Sequence, residues 1–455
     1  MGSSPITAST LNISGTSFGF GQGINVQSVV QSLTAAAQAG ESVYTAQQTF
    51  YNSQISDLKS MTNLLTSLQT ATQALQDPAG ALSARDASSS NSGVVTASAA
   101  SGISTGNYSV VVNNLASTAI LTSQPQSSAT AAVGAGTIQY TIGSNNYTIN
   151  VGSSDTLNSL VSTINGGNYG VTASIVNDSA GSFLTLTSNT GGAAGDVTNL
   201  TDSSGLGLST AVHGQDASLS VNGVPITESS NTVAGVIPGV TFTLQGTSAS
   251  PVTISVTPDV NQATTAINNF VSAYNAVAQA MNTEFTYTAG ATTQPPLFSD
   301  SALQQVQSTL ASDINYFTSG NGGINSLASL GVNLQQDGTL SVDSSTLTSA
   351  LTSNASAVQN FFQGADLVSG FGGQLYNDIN TLNDPTQGVL ALDLQGINQQ
   401  EQDVTNTINE FNANLQQQQQ QWLTEYSQVN ATLQQLPSLI QQAGGQISSS
   451  SSSNG

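Results

Sequence analysis

One histidine, His213, no cysteine and only two cations, Lys59 and Arg85, leave this 455-residue chain few side chains for covalent or acid–base chemistry. Composition excludes a thiol nucleophile, a cysteine-ligated zinc and a disulfide framework. His213 precedes Gly214 at an expected domain boundary, which fits a structural or solvent-facing imidazole. Carboxylates are what remains. The pairs Asp155 with Asp178 and Asp337 with Asp343 have the residue type for glycosidase-like acid and base work, but Asp337-Gly338 is a plain turn signal. No stretch has the alternating-acid spacing of a calcium loop. The chain therefore reads as non-enzymatic, with no catalytic, cofactor-binding or metal residues. The sequons at Asn146 and Asn177 are what chance provides in so polar a sequence.

Charge narrows the partners. Against the two cations stand 24 Asp and Glu, a formal charge of −22. Nucleic acids and anionic membrane surfaces are both held through clustered Lys and Arg, so neither is an expected partner. No apolar run approaches the roughly 20 residues of a membrane span. Residues 1–23 have no basic region, apolar core or cleavage site of a secretory signal peptide. Ion pairs cannot hold the protein together or set its interfaces, which leaves apolar packing and amide hydrogen bonds. Two readings of the missing cations stand side by side: life in an acidic medium, where a chain without Lys and Arg avoids positive self-repulsion, and ordinary drift of an acidic surface.

The elements that must carry any function fall into three stretches. From Ile24 the apolar residues Val26, Val30, Leu33, Tyr44, Tyr51, Ile55, Leu58, Leu65, Leu68 and Leu75 alternate by fours and threes, the seam of a coiled-coil-like helix. Ala37 and Gly40 mark a place where a partner can approach closely or the helix can break, and Asp77-Pro78 ends the pattern. Past Ala87 the composition turns to Ser, Thr, Gly, Val and Asn, with strand signals at 108–112, 138–142, 147–151, 171–176, 183–187, 219–221, 240–244 and 252–256. A short helix is predicted at 157–164, capped by Asp155 or Thr156. Pro258 closes the last strand and Asp259 opens a helix over 260–284. Further helices are predicted at 299–316, 345–362 and 367–382. A second long seam follows Gly396: Ile397, Val404, Ile408, Phe411, Leu415, Trp422, Tyr426, Val429, Leu433, Leu436 and Ile440. The Ser-rich tail from Ser448 reads as disordered.

Colinear motifs add a resemblance. Ile24-Asn25-Val26 with Val29, Val30 and Leu33 resembles the opening of the flagellar filament cap protein family, hook-associated protein 2, with Asn25 where the family has an acidic residue. Gly106-Asn107-Tyr108 through Leu115-Ala116, Gly214 through Gly223, Asn231-Thr232-Val233 and Ile237 through Leu244 are similar to its strand motifs. Pro251 to Pro258, then Phe270, Tyr274 and Asn275, continue the likeness, as do Gly331-Val332, Asp337 to Leu340 and Val358 to Phe362. The segment 147–190, with Ile164-Asn165, resembles a repeat inserted in flagellins and caps.

The resemblance implies a multidomain α+β chain: a discontinuous helical leg and coiled-coil or bundle built from both termini, with central antiparallel β-rich head domains. The expected domains are residues 1–43 with 427–455 as a terminal helical leg, mobile in the monomer, and 44–90 with 259–426 as the bundle. Residues 91–129 with 206–258 form a β-rich head, and 130–205 an inserted α+β unit. Within the long helices, 44–76 and 397–425 are expected to pair. The implied role is a cap at the distal filament tip, exported through the flagellar apparatus, under which flagellin folds and polymerises. Implied partners are further copies in a ring of about five subunits, flagellin, hook–filament junction proteins, an export chaperone at the C-terminal helix, and host or surface glycans. The alternative is an extracellular adhesin using the β region. Ile24, Val26, Val30, Leu33, Val429, Leu433, Leu436 and Ile440 are the expected assembly-interface residues.

Overall fold

The computed structural model describes residues 24–287, 289–290, 294–366 and 369–450; residues 1–23 of the expected leg and the last residues of the Ser-rich tail lie outside them. Helices α1 (Val26–Gln38) and α2 (Glu41–Gln76) come first. Next are β1 (Arg85–Ser89), β2 (Val95–Ala99), β3 (Gly106–Asn114), β4 (Ile120–Thr122), β5 (Gly136–Ile142) and β6 (Asn145–Val151). Helix α3 (Leu157–Gly166) precedes β7 (Val171–Asp178), β8 (Gly181–Ser188), β9 (Val197–Asp202), β10 (Ser209–Val212) and β11 (Ala217–Val221). The β stretch closes with β12 (Val224–Glu228), β13 (Thr232–Ile237), β14 (Val240–Leu244) and β15 (Val252–Pro258). The chain returns to helix in α4 (Val260–Phe285) and α5 (Ser301–Ile314), makes a small hairpin of β16 (Val332–Leu334) and β17 (Leu340–Val342), and ends in α6 (Ser344–Ser353), α7 (Ala355–Gln363), α8 (Phe371–Leu382) and α9 (Val389–Ser450). The fold is thus the expected multidomain α+β, with helical segments at both ends of the sequence and antiparallel sheets between.

The described residues pack as two compact units, one from those up to Ser67, Ala276–Leu310 and those from Asp378 on, the other from Leu68–Asn275 and Ala311–Asn377. In the first, the N-terminal helices run antiparallel to α9. Ile24 N donates to Asn430 Oδ1 at 2.8 Å, Asn412 Nδ2 to Glu41 Oε1 at 2.9 Å, and Gln48 Nε2 to Thr405 Oγ1 at 2.6 Å, so the partner number falls as the chain advances. The helix breaks at Ala39-Gly40, where a side chain on Gly40 would stand 3.6 Å from the Phe411 ring. Leu58, Met61 and Leu65 are buried here. Helix α9 begins before the expected start at Ile397, because Asp384 Oδ1 accepts from Thr386 N and Gln387 N and sets up the turn into it. Gly396 does not break the helix; one glycine costs only about 1 kcal/mol against alanine.

The second unit holds two β cores and a helical cluster. The sheet β1-β15-β3-β11-β12 and the sheet β13-β14-β2 enclose Val95, Val110, Leu219, Phe242 and Ile254. The sheets β10-β4-β8-β7 and β6-β5-β9, with α3, enclose Ile138, Tyr140, Leu160, Leu184 and Leu186. This second core reaches beyond the expected 130–205, because Ile120–Thr122 and Ser209–Val212 pair with each other and Leu121 is buried among its residues. Helix α3 is capped by Thr156, whose side chain and that of Ser159 each take the other's backbone N–H. Gln262 N donates to Asp259 Oδ1 at 2.9 Å, opening α4 where the Pro258-Asp259 pair predicts it. The helix expected over 345–362 is two, α6 and α7, parted at Asn354. Phe270, Phe361, Phe362, Phe371 and Tyr316 form one aromatic cluster, with Phe361 and Phe371 stacked at 5.5 Å.

Candidate assembly interface

The eight expected interface residues all fall in the helical unit. Asn25 caps α1, its Oδ1 accepting from Ser28 N at 3.1 Å, so the departure from an acidic residue keeps the cap. Val30 is buried at 2%, while Ile24, Val26 and Leu33 are half-buried on the same side. On α9 the picture reverses: Val429 is 46% exposed, Leu433 37% and Ile440 58%, and Leu436 is half-buried. Leu439, which the seam did not single out, is exposed beside them. The α1 residues are therefore largely spent inside the unit, and the α9 residues form an open apolar stripe at four, three and four positions' spacing. Pro437 stands within that stripe. It has no N–H for the Leu433 carbonyl and its ring crowds the preceding turn, which costs a helix about 3 kcal/mol. These last turns are held less firmly than the rest of α9.

The carboxylates that offered acid–base chemistry are occupied in turns and caps. Asp155 accepts from Gly152 N at 2.7 Å, and Asp178 from Ala180 N at 2.7 Å. Asp343 caps α6; hydrogen bonds from the Ser345 and Thr346 hydroxyls, then from their N–H groups, hold its carboxyl down to about 2. Bonds from Thr339 likewise lower Asp337. Such groups stay ionised and cannot serve as acids near neutrality. His213 is exposed and its Nδ1 lies 3.2 Å from Asp196 Oδ1. No group of three or more His, Asp or Glu among the described residues is placed to hold a metal, and no described helix is long and apolar enough to cross a membrane.

Amides take over the roles that charges usually fill. Asn275 of α4 accepts from Leu340 N at 2.6 Å and donates to Leu340 O at 2.8 Å, pairing with the outer edge of β17 as a neighbouring strand would. Asn165 does the same for Ala173 on β7, and Asn231 for Ala116 after β3. Unpaired strand edges invite wrong pairing and are commonly blunted by lysine; on the edge strands β7 and β17 carboxamides cover them, while Asn231 clamps the loop after β3. All three asparagines sit in the motifs that carry the family resemblance, but their role needs the structure, because each partner is a distant backbone group. The residues that sequence reasoning missed altogether are neighbouring carboxylates: Asp300 hydrogen-bonded to Asp393, and Asp57 whose charge acts on Glu284.

Two family profiles match the chain: "Flagellar hook-associated protein 2 N-terminus" over residues 22–119 and "Flagellar hook-associated protein 2 C-terminus" over 214–438. The unmatched stretch between them corresponds closely to the second β core. The flagellar hook-associated protein 2 of Escherichia coli K12 is 30% identical over 371 residues, covering 75% of this chain and 79% of that protein. The B-type flagellar hook-associated protein 2 of Pseudomonas aeruginosa is 27% identical over 381 residues, with 76% and 80% covered. Among solved structures, the D1-D2-D3 domains of the flagellar cap protein FliD from Escherichia coli are similar at a TM-score of 0.58 and 27% identity, over 75% of this chain and 99% of that one.

Proposed function

We propose, on the premise that this chain belongs to the flagellar hook-associated protein 2 family, that it is a non-enzymatic cap at the distal tip of the flagellar filament. Copies of the chain close into a ring, and flagellin delivered through the filament folds and polymerises beneath it instead of escaping. The protein reaches that position by the flagellar export route. The terminal segments 1–43 and 427–455 act as the leg that meets the filament.

The observation that carries this reading is the open stripe Val429, Leu433, Leu436 and Ile440 on α9. In a chain with two cations, contact with a moving set of subunits must be made by apolar and amide groups, which tolerate changes of partner better than matched charges do. Helical turns weakened by Pro437 fit a segment that orders fully only against a partner. The test is removal of residues 1–43 and 427–455. The shortened chain is expected to remain folded and soluble, since both β cores and the inner helical pairing keep their partners, while a strain relying on it no longer elongates filaments. Normal elongation with the shortened chain would overturn the leg assignment. Sedimentation and electron microscopy of the purified full chain test the ring; a strict monomer at all concentrations would contradict it.

A further inference from the structure

Asp300 stands at the entry to α5, where its Oδ1 accepts from Leu303 N at 2.8 Å. Asp393 lies in the second turn of α9. Its Oδ2 is closed off from solvent with no N–H or hydroxyl donor beside it, and its neighbour is the Asp300 carboxyl, which acts on it by charge and by side-chain hydrogen bonding. Two carboxyl groups can bond to each other only when one of them carries a proton, because an ionised carboxylate is an acceptor alone. Asp300 also borders a cavity of about 600 Å³ lined by Phe50, Gln54, Pro295, Pro296 and Phe298, which opens its side of the pair to solvent.

We propose that Asp300 and Asp393 form a proton-operated latch inside the helical unit, tying the start of α9 to the start of α5 in a mildly acidic medium and loosening it near neutrality. The proton comes from solvent. Its uptake takes the pair from two negative charges to one and turns one oxygen into a donor. Asp300 is the charged group that acts on Asp393; from α2 and α4, the Asp57 charge acts on Glu284, which accepts from Leu297 N at 3.0 Å. Along α9 the next titratable groups are Glu401 and Asp403, two or more turns away. Among the described residues no cation acts on Asp393, Glu284 or Asp57 to hold them ionised.

Burial, and then the Asp300 charge and hydrogen bond, push the Asp393 carboxyl from 3.8 up to about 6. A carboxyl raised in the folded state binds its proton more tightly there than in the unfolded chain. The latch is therefore complete below 3.8 and is lost as pH rises through about 6. The Asp57–Glu284 pair, also raised by burial first, adds to the same trend in the same unit.

The test is hydrogen exchange of the full chain at pH 7.5 and pH 5.0, corrected for intrinsic rates, read at the amides of residues 389–397. A shift of two units corresponds to a hundredfold change; discounted for solvent screening of a partly exposed group, protection is expected to rise roughly tenfold on acidification. In Asp393→Asn the amide donates to Asp300 at every pH, so protection is high and flat. Asp300→Asn, which keeps the cap on α5, gives the same flat profile and serves if the first variant folds poorly. A wild-type profile without the rise, or a rise of equal size in both variants, overturns the latch.

Discussion

Replacing Asn275 with alanine tests the claim that carboxamides hold this fold where charges are missing. The substitution removes two hydrogen bonds, at 2.6 and 2.8 Å, and strands the N–H and C=O of Leu340, a residue only 4% exposed. Leaving a buried backbone group unsatisfied costs about 1–3 kcal/mol; both bonds are only part-buried, so about 1–2 kcal/mol applies to each and about 2–4 kcal/mol to the two together. Alanine recovers about 0.6 kcal/mol through its higher helix propensity within α4. The net loss is about 2–3 kcal/mol, seen as a lower midpoint of the β-containing unit in urea unfolding followed by circular dichroism. Asn275→Asp refines the test: the carboxylate still accepts from Leu340 N but opposes Leu340 O, so the variant is as weak as alanine at pH 7. Below about pH 4 the protonated acid can donate again, and stability partly returns, which alanine cannot reproduce. A loss below about 0.5 kcal/mol for alanine, or an aspartate variant indifferent to pH, would refute the clamp.

Gly331 takes φ +82° after the short turn Leu327–Leu330, and a side chain there would stand 2.9 Å from Asp343 O and from Thr346 Cβ; Gly331→Ala is expected to cost about 2 kcal/mol or more, measured by the same unfolding curves. Asp343 and Asp337 carry carboxyls lowered by hydrogen bonds, so their contribution is present above 3.8 and lost as pH falls through their folded values, near 2 for Asp343. Together with the raised Asp393, this places the thermal stability maximum near pH 4 to 5, with loss on the acid side below about 3.8 and on the alkaline side through about 6; a steady fall from pH 7 to pH 4 would contradict it. Leu433→Asp combined with Ile440→Asp is expected to leave the unfolding midpoint within about 0.5 kcal/mol, since both are exposed, yet to abolish filament elongation in a complementation assay.

What the sequence made legible was local. The cap on α3, the Pro258-Asp259 boundary and the long α2 seam each follow from residues within a turn or two of one another, and all stand in the structure. The short strands escaped because their pairing is remote: Ile120–Thr122 is three residues long and finds Thr187–Thr185 through a register no local pattern sets. Strand β1, Arg85–Ser89, has no apolar alternation to declare it and is defined by its neighbour β15. At the interface, the α9 stripe was legible as spacing, but the sequence did not tell which half of the seam is consumed internally; the burial of Val30 and the exposure of Ile440 do. The acid pairs were invisible for the same reason, since Asp300 and Asp393 meet only through tertiary packing.

The most direct measurement is filament growth in a strain from which this chain has been deleted, read by electron microscopy of the filaments together with flagellin released into the medium. The account predicts absent or stunted filaments with monomeric flagellin outside the cell, reversed by the full chain and not by the chain lacking residues 1–43 and 427–455. Full-length filaments in the deletion strain, with no excess flagellin in the medium, would contradict it.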